Sequence, residues 1–521
     1  MDERLGFVAT VKSFPRTFWV ANTMEIFERM AWYGFFSLST LYITGSVAEG
    51  GLGFSSEDRG LLQGVVTFFL YLFPFITGAL GDRYGFKKML IIAYIILAPT
   101  YYLLGQFKTL PSFFAIFMAV AVGAAIFKPL IAGTIGKVTN KNTASMGFGI
   151  FYMMVNVGGL LGPFIAGAIR NAGWNWVFIA SAIWISLNIP ILLIFYKEPT
   201  KEVGSAQKRS FNKVMSDMVE VIGNMRFFVM IFGVLFIFVL GSKWLSMKEV
   251  FLYNILWIVG NMILDMVLAV SAKNEWRMKT GNVRFMVFLL LISSFWIAFN
   301  QLFITLPEYI RDFTNTKPLM DSIAAFLGSV GFSEGFVDKI VYIFAKNDGT
   351  IKPEHFISIN AAGIVVFQVI VSYFVTRMND MITMLLGIAV TALSFLLFAF
   401  WGANPIIVAL GVLVFSFGEM MASPKSQEYV AKAVAPPDKV GMFMGYYFWS
   451  FALGNLFGGL LSGRLYGWLA RDLGRPDIMW IIFAGFSLLC VALLYVYHIV
   501  LGKKIVKENL AKVDANSGTS E

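Results

Sequence analysis

The amino-acid sequence predicts an all-α polytopic membrane protein with 14 spans, arranged as two six-helix bundles with two extra helices between them. Of the 521 residues, 58% are apolar and only 14% are charged, whereas soluble domains have about 45–50% and about 25%. The apolar residues also collect in runs of about 20, the length that crosses the hydrocarbon layer of a bilayer. These observations exclude a soluble globular protein, a disordered chain and a nucleic-acid binder.

The first bundle is predicted over residues 1–196 and the last over residues 284–502. Residues 197–283 hold a cytoplasmic linker and the two additional helices, and residues 503–521 form a solvated cytoplasmic tail. The spans are expected near 18–45, 58–80, 88–106, 110–136, 146–170, 174–196, 226–242, 249–271, 285–309, 356–377, 381–401, 405–432, 440–468 and 478–501. Two bundles around a central cavity favour alternating access to a site at mid-depth.

The distribution of basic residues predicts which side of the membrane each loop faces. Lys and Arg exceed Asp and Glu by ten, and such an excess gathers in cytoplasmic loops. The basic positions that share one side are Lys12, Arg16, Arg83, Lys87, Lys88, Lys137, Lys141, the run 197–213, Lys273, Arg277, Lys279, Arg284, Lys432, Lys439, Lys503, Lys504 and Lys507. We therefore expect an inner (plasma) membrane protein with both termini in the cytoplasm. The segment 311–354 is then external, and its apolar runs 323–330 and 337–344 predict short helices outside the bilayer.

Cysteine and histidine are scarce, which limits the available chemistry. The chain has one cysteine, Cys490, and two histidines, His355 and His498. No intrachain disulfide and no cysteine-based metal site can form. A membrane hydrolase needs a nucleophile with its base, or a bound metal, and no such set is present. We therefore expect neither an enzyme nor a cofactor or metal site.

Three groups of ionisable residues interrupt the apolar spans, where each costs about 2.5–3.5 kcal/mol at a helix centre. In the first span, Glu25, Glu28 and Arg29 have the spacing i, i+3, i+4 and so share one helical face. A carboxylate that exchanges an arginine for a proton is suited to proton coupling. The alternative is an intrahelical salt bridge that only reduces the cost of burial.

The other two groups are Lys128 in the fourth span and Glu419 in the tenth. Lys128 has apolar flanks and precedes Pro129, which can kink the helix; the alternative is a lysine that snorkels from a helix end. For Glu419 the alternative is a capping or interhelical hydrogen bond. Asp265 is interpreted as an isolated structural contact, and Lys425 is expected to be solvated.

Polar and aromatic residues of other spans are candidates for lining the cavity. Singly each is a weak signal, because aromatic residues make up 16% of the chain and usually pack or lie in the membrane belt. Glycine pairs such as 158–159 and 458–459 indicate close helix contact, and the loop GDRYGFKK (81–88) can hold helix ends by salt bridges. The cavity candidates are Tyr33, Tyr71, Asn156, Trp296, Asn300, Gln301, Asn360, Ser423, Tyr447 and Asn455.

Taken together, these segments resemble the proton-coupled oligopeptide transporter (POT) family of the major facilitator superfamily. GDRYGFKK (81–88) resembles the superfamily signature between helices 2 and 3, and EIFERMAWYG (25–34) resembles the POT motif E-x-x-E-R-F-x-Y-Y-G. FYMMVNVGGLLGP (151–163) and GEMMASPKSQEYVAKAVAPPDKVGMFMGYYF (418–448) resemble the helix 5 and helix 10–11 signatures. FWIAFNQ (295–301) and FISIN (356–360) fit the helix 7 and helix 8 patterns.

The resemblance implies a major-facilitator fold and roles for particular residues. Glu25, Glu28 and Arg29 match the proton-coupling motif. Lys128 matches the helix 4 lysine that pairs with this motif and faces substrate, and Glu419 matches the acid linked to the peptide amino end. Tyr33, Tyr71, Asn156 and Asn360 match cavity residues that contact substrate. With the candidates from the sequence itself, the predicted substrate-binding residues are Tyr33, Tyr71, Lys128, Asn156, Trp296, Gln301, Asn360, Glu419, Ser423 and Tyr447.

Four positions depart from the family pattern. Phe36 replaces an arginine that helps to hold the peptide carboxylate, and Asn300 replaces an acid on helix 7. Trp32 and Tyr447 replace a tyrosine and a tryptophan. The cavity therefore lacks one positive and one potentially negative charge, which indicates an altered substrate preference or an outer gate closed by apolar contact.

The sequence thus predicts a proton-coupled symporter that imports di- or tripeptides, or related small molecules, by alternating access. An alternative is the same transporter with a non-peptide organic anion or zwitterion as substrate, and another is a transport-inactive receptor for the same ligand. The expected partners are the substrate, protons and the lipid bilayer. A monomer is expected, although the sequence does not decide the oligomeric state.

Overall fold

The computed structural model describes residues 7–140, 143–199, 223–271, 277–375, 378–435 and 440–502. Within these ranges the regular secondary structure is helical, apart from isolated β-bridges between Gly223 and Thr280 and between Ala345 and Ile351. The predicted tail at 503–521 and most of the predicted linker, at 200–222, lie outside the described residues. The predicted all-α class is therefore confirmed for the described part of the chain.

The helices follow the apolar runs of the sequence closely. The first eight are α1 (Phe7–Ser13), α2 (Arg16–Thr44), α3 (Ser56–Leu72), α4 (Pro74–Tyr84), α5 (Phe86–Leu104), α6 (Leu110–Val138), α7 (Ala144–Ile169) and α8 (Trp174–Phe195). The next six are α9 (Met225–Trp244), α10 (Met247–Val270), α11 (Val283–Ile304), α12 (Leu306–Phe313), α13 (Lys317–Ser329) and α14 (Glu334–Phe344). The last five are α15 (Pro353–Val375), α16 (Asp380–Trp401), α17 (Pro405–Tyr429), α18 (Val440–Leu465) and α19 (Pro476–Tyr497).

Eleven helical segments of the described ranges are long and apolar enough to cross a membrane, with α3 and α4 counted as one. Helices α2, α9 and α18 occupy the three other positions where the sequence predicts spans. The chain is therefore a polytopic membrane protein, and the count of 14 spans stays a prediction.

By internal contacts the chain divides into two units. The first holds α1–α8, α11 from Ile292 through α17, and the stretch from Phe448 to Val496. The second includes α9, α10, the start of α11 and the stretch 430–447. The division into 1–196, 197–283 and 284–502 is a different subdivision of the sequence, and it stays a prediction.

Aromatic side chains build two cores within the first unit. In the N-terminal helices, Phe35 packs edge-on against Phe117, with ring centroids 5.1 Å apart. In the C-terminal helices, Trp480 stacks on Phe395 at 5.7 Å. Burial of such side chains supplies much of the packing energy inside a helical membrane protein, where lipid offers no hydrophobic drive between helices.

Glycine allows helices of the first unit to touch at backbone distance, as the sequence predicts. A Cβ atom added at Gly158 of α7 would lie 2.5 Å from the Cβ of Arg29 on α2. Glycines of α3 and α18 meet in the same way, because a Cβ at Gly60 would lie 2.3 Å from the carbonyl oxygen of Gly459. The contact between Gly60 and Gly459 forms a seam between α3, in the N-terminal helices, and α18, in the C-terminal helices.

The segment 311–354, predicted to be external, contains the two short helices that the sequence predicts, α13 and α14. It contacts the end of α7, where Asn171 Nδ2 donates to the carbonyl of Tyr342 at 2.7 Å. Lys352 Nζ donates to the carbonyls of Gly167 and Ile343 at 2.9 and 2.8 Å. Burial lowers the pKa of Lys352 to about 8.

The loop at 81–88 holds helix ends together, as its charges predict. Lys137 Nζ lies 3.1 Å from Asp82 Oδ1 and so ties the end of α6 to α4. The carboxylate of Glu198 accepts the backbone N–H groups of Phe86 and Lys87, at 2.6 and 2.8 Å, at the beginning of α5. An acid is favourable at this position because it complements the helix dipole and the unpaired amides.

Two expectations from the sequence are wrong. Lys425 is not solvated: its side chain is 4% exposed, and Nζ lies 2.6 Å from Asp380 Oδ1. Asp265 is not isolated, because Arg226 lies 3.4 Å away and the backbone N–H of Met278 donates to it at 2.6 Å. Both charges have partners from another helix or loop, Lys425 in Asp380 and Asp265 in Arg226 and Met278, which spacing along one helix does not reveal.

The seam between α3 and α18 gives a first prediction. Gly60→Ala places a methyl group against the Gly459 carbonyl, and such overpacking costs about 1–3 kcal/mol. We expect a lower unfolding temperature for the purified protein in detergent. Gly485→Ala is the control, since nothing lies within 4 Å of a Cβ at that position. Equal unfolding temperatures for the two variants would contradict the close contact.

Candidate functional site

Helix α2 carries a buried cluster of three charges. Arg29 Nε donates to Glu28 Oε2 at 2.6 Å and lies 3.2 Å from Glu25 Oε1, and Arg29 Nη2 also contacts Glu28 Oε2. The exposed fractions of Glu25, Glu28 and Arg29 are 4%, 0% and 4%. The three residues that the helical spacing predicts on one face therefore form one ion cluster away from solvent.

Lys128 of α6 faces this cluster without an ion pair of its own among the described residues. Its Nζ lies 4.2 Å from the centre of the Tyr71 ring, a cation–π contact. It interacts electrostatically with Arg29, Glu28 and Glu25. The direct pairing with the α2 motif that the resemblance implies is absent from this structure, and Lys128 is left available.

Glu419 of α17 supplies a carboxylate from the C-terminal helices. Its Oε2 accepts from Asn360 Nδ2 of α15 at 2.9 Å, and the same nitrogen lies 3.0 Å from Ser416 Oγ. Glu419 also interacts electrostatically with Tyr33 of α2. Charged residues from both sets of helices thus converge on one region of the first unit.

Aromatic rings connect the two sets of helices beside Lys128. Tyr71 of α3 stacks on Phe451 of α18, with centroids 5.5 Å apart. Phe451 in turn stacks on Trp296 of α11 at 3.6 Å. Tyr71, Phe451 and Trp296 thus form a row of three rings that begins at Lys128 and ends at Trp296, the residue predicted to form a cavity wall. The Nε1 atom of Trp296 is buried and has no hydrogen-bond partner in the described part of the chain.

Other predicted site residues have mixed positions. Tyr33 lies under Arg29, with the guanidinium carbon 5.9 Å from its ring centre. Asn156 of α7 is half-buried and donates to the backbone carbonyl of Tyr152 at 2.9 Å. Tyr152 itself interacts electrostatically with Glu419 and Tyr33. Sequence reasoning missed Tyr152, although it lies one helical turn before Asn156 and so shares its face.

For three of the predicted substrate residues, the structure shows no contact with the α2 cluster, Lys128 or Glu419 among the described residues. Gln301 is fully buried, donates to the Ile297 carbonyl at 2.7 Å and accepts from Thr305 Oγ1 at 2.5 Å, so its amide is already used. Ser423 is half-buried, and its backbone carbonyl accepts from Ser426. Tyr447 belongs to the second unit, where it is fully buried. Substrate roles for these residues stay predictions.

A second charged cluster that the sequence did not predict lies near the segment expected to be external. Arg59 of α3 lies 3.0 Å from Glu308 Oε2 of α12, and both side chains are fully buried. Glu308 Oε1 accepts from Ser56 Oγ at 2.7 Å and pairs with Arg471 at 2.8 Å. Both charges fall at predicted span ends, where they resemble interfacial residues. The contact of Gly60 with Gly459 lies on the same helix α3, so an ion pair and a close apolar contact are both present here, and the apolar gate considered for Phe36 stays a prediction.

Long apolar helices around a buried, mixed-charge site are typical of membrane transporters. The sequence matches the Major Facilitator Superfamily model over residues 24–346 and 355–515. The chain therefore belongs to the major facilitator superfamily, whose members are transporters and not enzymes.

Named relatives confirm the resemblance to oligopeptide transporters. The chain is 23% identical over 476 residues to "Peptide transporter YePEPT" of Yersinia enterocolitica subsp. palearctica, covering 85% of this chain and 86% of that protein. It is 25% identical over 470 residues to "Dipeptide and tripeptide permease B" of Salmonella typhimurium, covering 86% of each.

Solved structures show the same fold at lower identity. A crystal structure of a peptide transporter POT in complex with sulfate has a TM-score of 0.67 and 18% identity, over 96% of this chain and 97% of that one. A POT family transporter in complex with 5-aminolevulinic acid has a TM-score of 0.65 and 18% identity, over 95% and 99%. The predicted major-facilitator fold is therefore confirmed.

The Arg59 cluster gives a second prediction. Arg59→Gln leaves the buried Glu308 carboxylate with less positive charge, and breaking a buried pair in this way costs about 3–5 kcal/mol. We expect a clear fall in the unfolding temperature. Glu308 keeps Arg471 and Arg311 as partners in this variant, so the sharper test is the double variant Arg59→Gln/Glu308→Gln. Its loss should be smaller than the sum of the losses of the two single variants. Additive losses in the double variant would contradict the pairing.

Proposed function

We propose that the protein is a proton-coupled symporter that imports di- or tripeptides, or similar small zwitterions, by alternating access. The observation that carries the proposal is that groups from both sets of helices interact with the α2 site. Lys128, an available cation, interacts with Arg29, and the carboxylate of Glu419 interacts with Tyr33, which itself interacts with Arg29. A peptide carries one charge of each sign at its two ends, so these groups complement it. The names of the relatives, peptide transporter and dipeptide and tripeptide permease, support the same substrate class.

The geometry supports an orientation for the substrate. Arg29 is already held by Glu25 and Glu28, whereas Lys128 has no carboxylate partner in the described ranges. The substrate carboxylate is therefore proposed to bind Lys128. The substrate amine is proposed to bind Glu419, whose Oε2 accepts from Asn360 and whose other oxygen has no protein donor in the described residues.

Charge balance supports proton coupling at Glu28. The carboxylates of Glu25 and Glu28 together balance the cations of Arg29 and Lys128. A substrate carboxylate at Lys128 adds a negative charge to a buried site, and a proton on one glutamate restores the balance. Glu28 Oε1 is buried and has no hydrogen-bond partner among the described residues, so this oxygen is proposed to accept the proton.

The proposed cycle runs in four steps. A proton from outside neutralises Glu28 or Glu25, and Glu419 can take part. The substrate then binds, the site opens to the cytoplasm, and deprotonation towards the cytoplasm releases the substrate. The membrane potential supplies about 2.3 kcal/mol per charge per 100 mV, to which the pH gradient adds.

Alternating access requires the predicted external end to open. In this structure the Arg59–Glu308 pair and the contact of Gly60 with Gly459 hold that end together. These contacts join N-terminal to C-terminal helices and have to separate for entry from outside. We propose that the protein lies in the cell inner membrane with cytoplasmic termini and works as a monomer.

The departures from the family pattern keep a non-peptide substrate as the second candidate. Phe36 stacks on Trp32 at 4.8 Å, and Asn300 donates to the Trp296 carbonyl at 2.8 Å, so neither contributes a charge to the site. One solved structure with the same fold, a POT family transporter, is a complex with 5-aminolevulinic acid. A small organic anion has no amine to bind, so it needs fewer charged contacts than a peptide and fits these losses.

The coupling assignment gives a third prediction. In proteoliposomes with an imposed inward proton gradient, Glu28→Gln should reduce gradient-driven dipeptide uptake at least about tenfold, a usual effect of losing a proton-transfer group. Exchange of dipeptide across the membrane without a gradient should persist. Glu57→Gln is the control, since Glu57 is an exposed glutamate of α3. Gradient-driven uptake by Glu28→Gln equal to that of the wild type would make the assignment wrong.

The substrate orientation gives a fourth prediction. Lys128→Gln should weaken binding of alanyl-alanine about tenfold, since an ion-assisted hydrogen bond is lost, but should leave binding of alanyl-alanine amide unchanged. The control is Lys108→Gln, which alters an exposed loop lysine. Thermal-shift titrations with both peptides, 5-aminolevulinic acid and small organic anions measure this. Equal loss for the acid and the amide would contradict the orientation, and stabilisation by organic anions alone would favour the second candidate.

A further inference from the structure

A groove of about 530 Å³ lies between the beginning of α2 and the end of α8. This volume falls within the roughly 300–1,000 Å³ of small-molecule sites. The residues on its α2 side are spaced i, i+3, i+4 and i+7, so they form one helical face. None of its residues belongs to the charged site described above. The groove is lined by Phe14, Arg16, Trp19, Val20, Thr23, Ile191 and Phe195.

One end of the groove carries positive charge. The guanidinium carbon of Arg16 lies 4.7 Å from the centre of the Phe195 ring. This cation–π contact involves no hydrogen bond, so the N–H groups of Arg16 stay available as donors. Arg16 has no hydrogen bond or ion pair to the described residues, and Lys12 and Lys197 nearby in the chain are also exposed.

The acids closest in sequence do not neutralise this charge. Glu25 is buried against Arg29, and Glu198 is bound to the backbone amides at the beginning of α5. An anion that binds at Arg16 therefore has to come from outside the described chain.

The remainder of the groove is apolar and open to the surroundings of the helices. Trp19 is 39% exposed and Phe195 is 40% exposed, and the neighbouring Ile194 is 69% exposed. Helix α8 is long and apolar enough to span the membrane, α2 occupies a predicted span, and their ends meet here. Tryptophan is enriched at the level of the lipid headgroups. The expected occupant thus combines an anionic head with an apolar chain.

We propose that this groove binds one anionic phospholipid. Its phosphate accepts hydrogen bonds from Arg16, its net negative headgroup is attracted by Lys12 and Lys197, and an acyl chain lies along Trp19, Val20 and Ile191. Helix α2 also carries the buried charge cluster of Glu25, Glu28 and Arg29. The bound lipid therefore stabilises the N-terminal end of the helix that holds this cluster.

The test is a lipid titration of the full-length protein in detergent, read by native mass spectrometry. The lipids are phosphatidylglycerol and phosphatidylcholine with identical chains, and inorganic phosphate serves as a competitor. We expect the wild type to bind one phosphatidylglycerol about fivefold more tightly than phosphatidylcholine, as a basic residue near an anionic headgroup provides. Inorganic phosphate should displace neither lipid.

Three variants distinguish the contribution of the Arg16 charge from that of the apolar part of the groove. Arg16→Gln should weaken binding of both lipids and reduce the preference for phosphatidylglycerol, since Lys12 and Lys197 keep part of the attraction. Arg83→Gln should leave affinity and preference unchanged, since Arg83 lies 5.3 Å from the exposed Tyr84 ring but is not among the residues that line this groove. Ile191→Trp fills the groove and should weaken the binding of both lipids. An unchanged unfolding temperature in detergent checks that this variant is folded. Equal binding of the two lipids by the wild type, equal losses in Arg16→Gln and Arg83→Gln, or displacement by inorganic phosphate would overturn the proposal.

Discussion

The structure depends on the balance of charges that are buried together inside a membrane protein. A lone charge in this environment is costly, and a pair is retained only when its geometry is good and its remaining polar atoms are satisfied. Arg29 meets this condition by binding two glutamates at once. Lys128 meets it only in part, through a tyrosine ring and the field of the same cluster. A site in this condition favours an incoming carboxylate together with a proton, and the proposed cycle follows from that preference.

The function also depends on close helix packing. The packing has to hold the buried charges in position and still allow the site to open to either side of the membrane. Glycines let α2 meet α7 and α3 meet α18 without side chains between them. Contacts of this kind are stable when closed, but they interlock less than large side chains do. The buried Arg59–Glu308 pair adds a polar contact at the same end of α3. Opening then exchanges a limited number of protein contacts for contacts with water, which suits a transporter better than a rigid core would.

Much of the fold could be predicted from the sequence, because apolar runs of fixed length and an excess of basic residues act locally. The clustering of Glu25, Glu28 and Arg29 followed from helical spacing. Glu419 makes the interhelical hydrogen bond to Asn360 that the sequence analysis considered, and its role in substrate binding stays a prediction. The rest required three-dimensional information. Arg59 and Glu308 lie at the ends of predicted spans, and only the fold shows that they meet. Phe451 is one of 53 phenylalanines, and only its stacking between Tyr71 and Trp296 distinguishes it.

The central claim is that substrate binding to the buried charges draws a proton into the site. Calorimetric titration of a dipeptide, repeated in buffers of different ionisation enthalpy at one pH, measures the protons exchanged on binding. The account predicts net uptake that approaches one proton per dipeptide in the wild type and falls sharply when Glu28 is replaced by glutamine. Binding with the same enthalpy in every buffer would show that no proton is exchanged and would contradict the account.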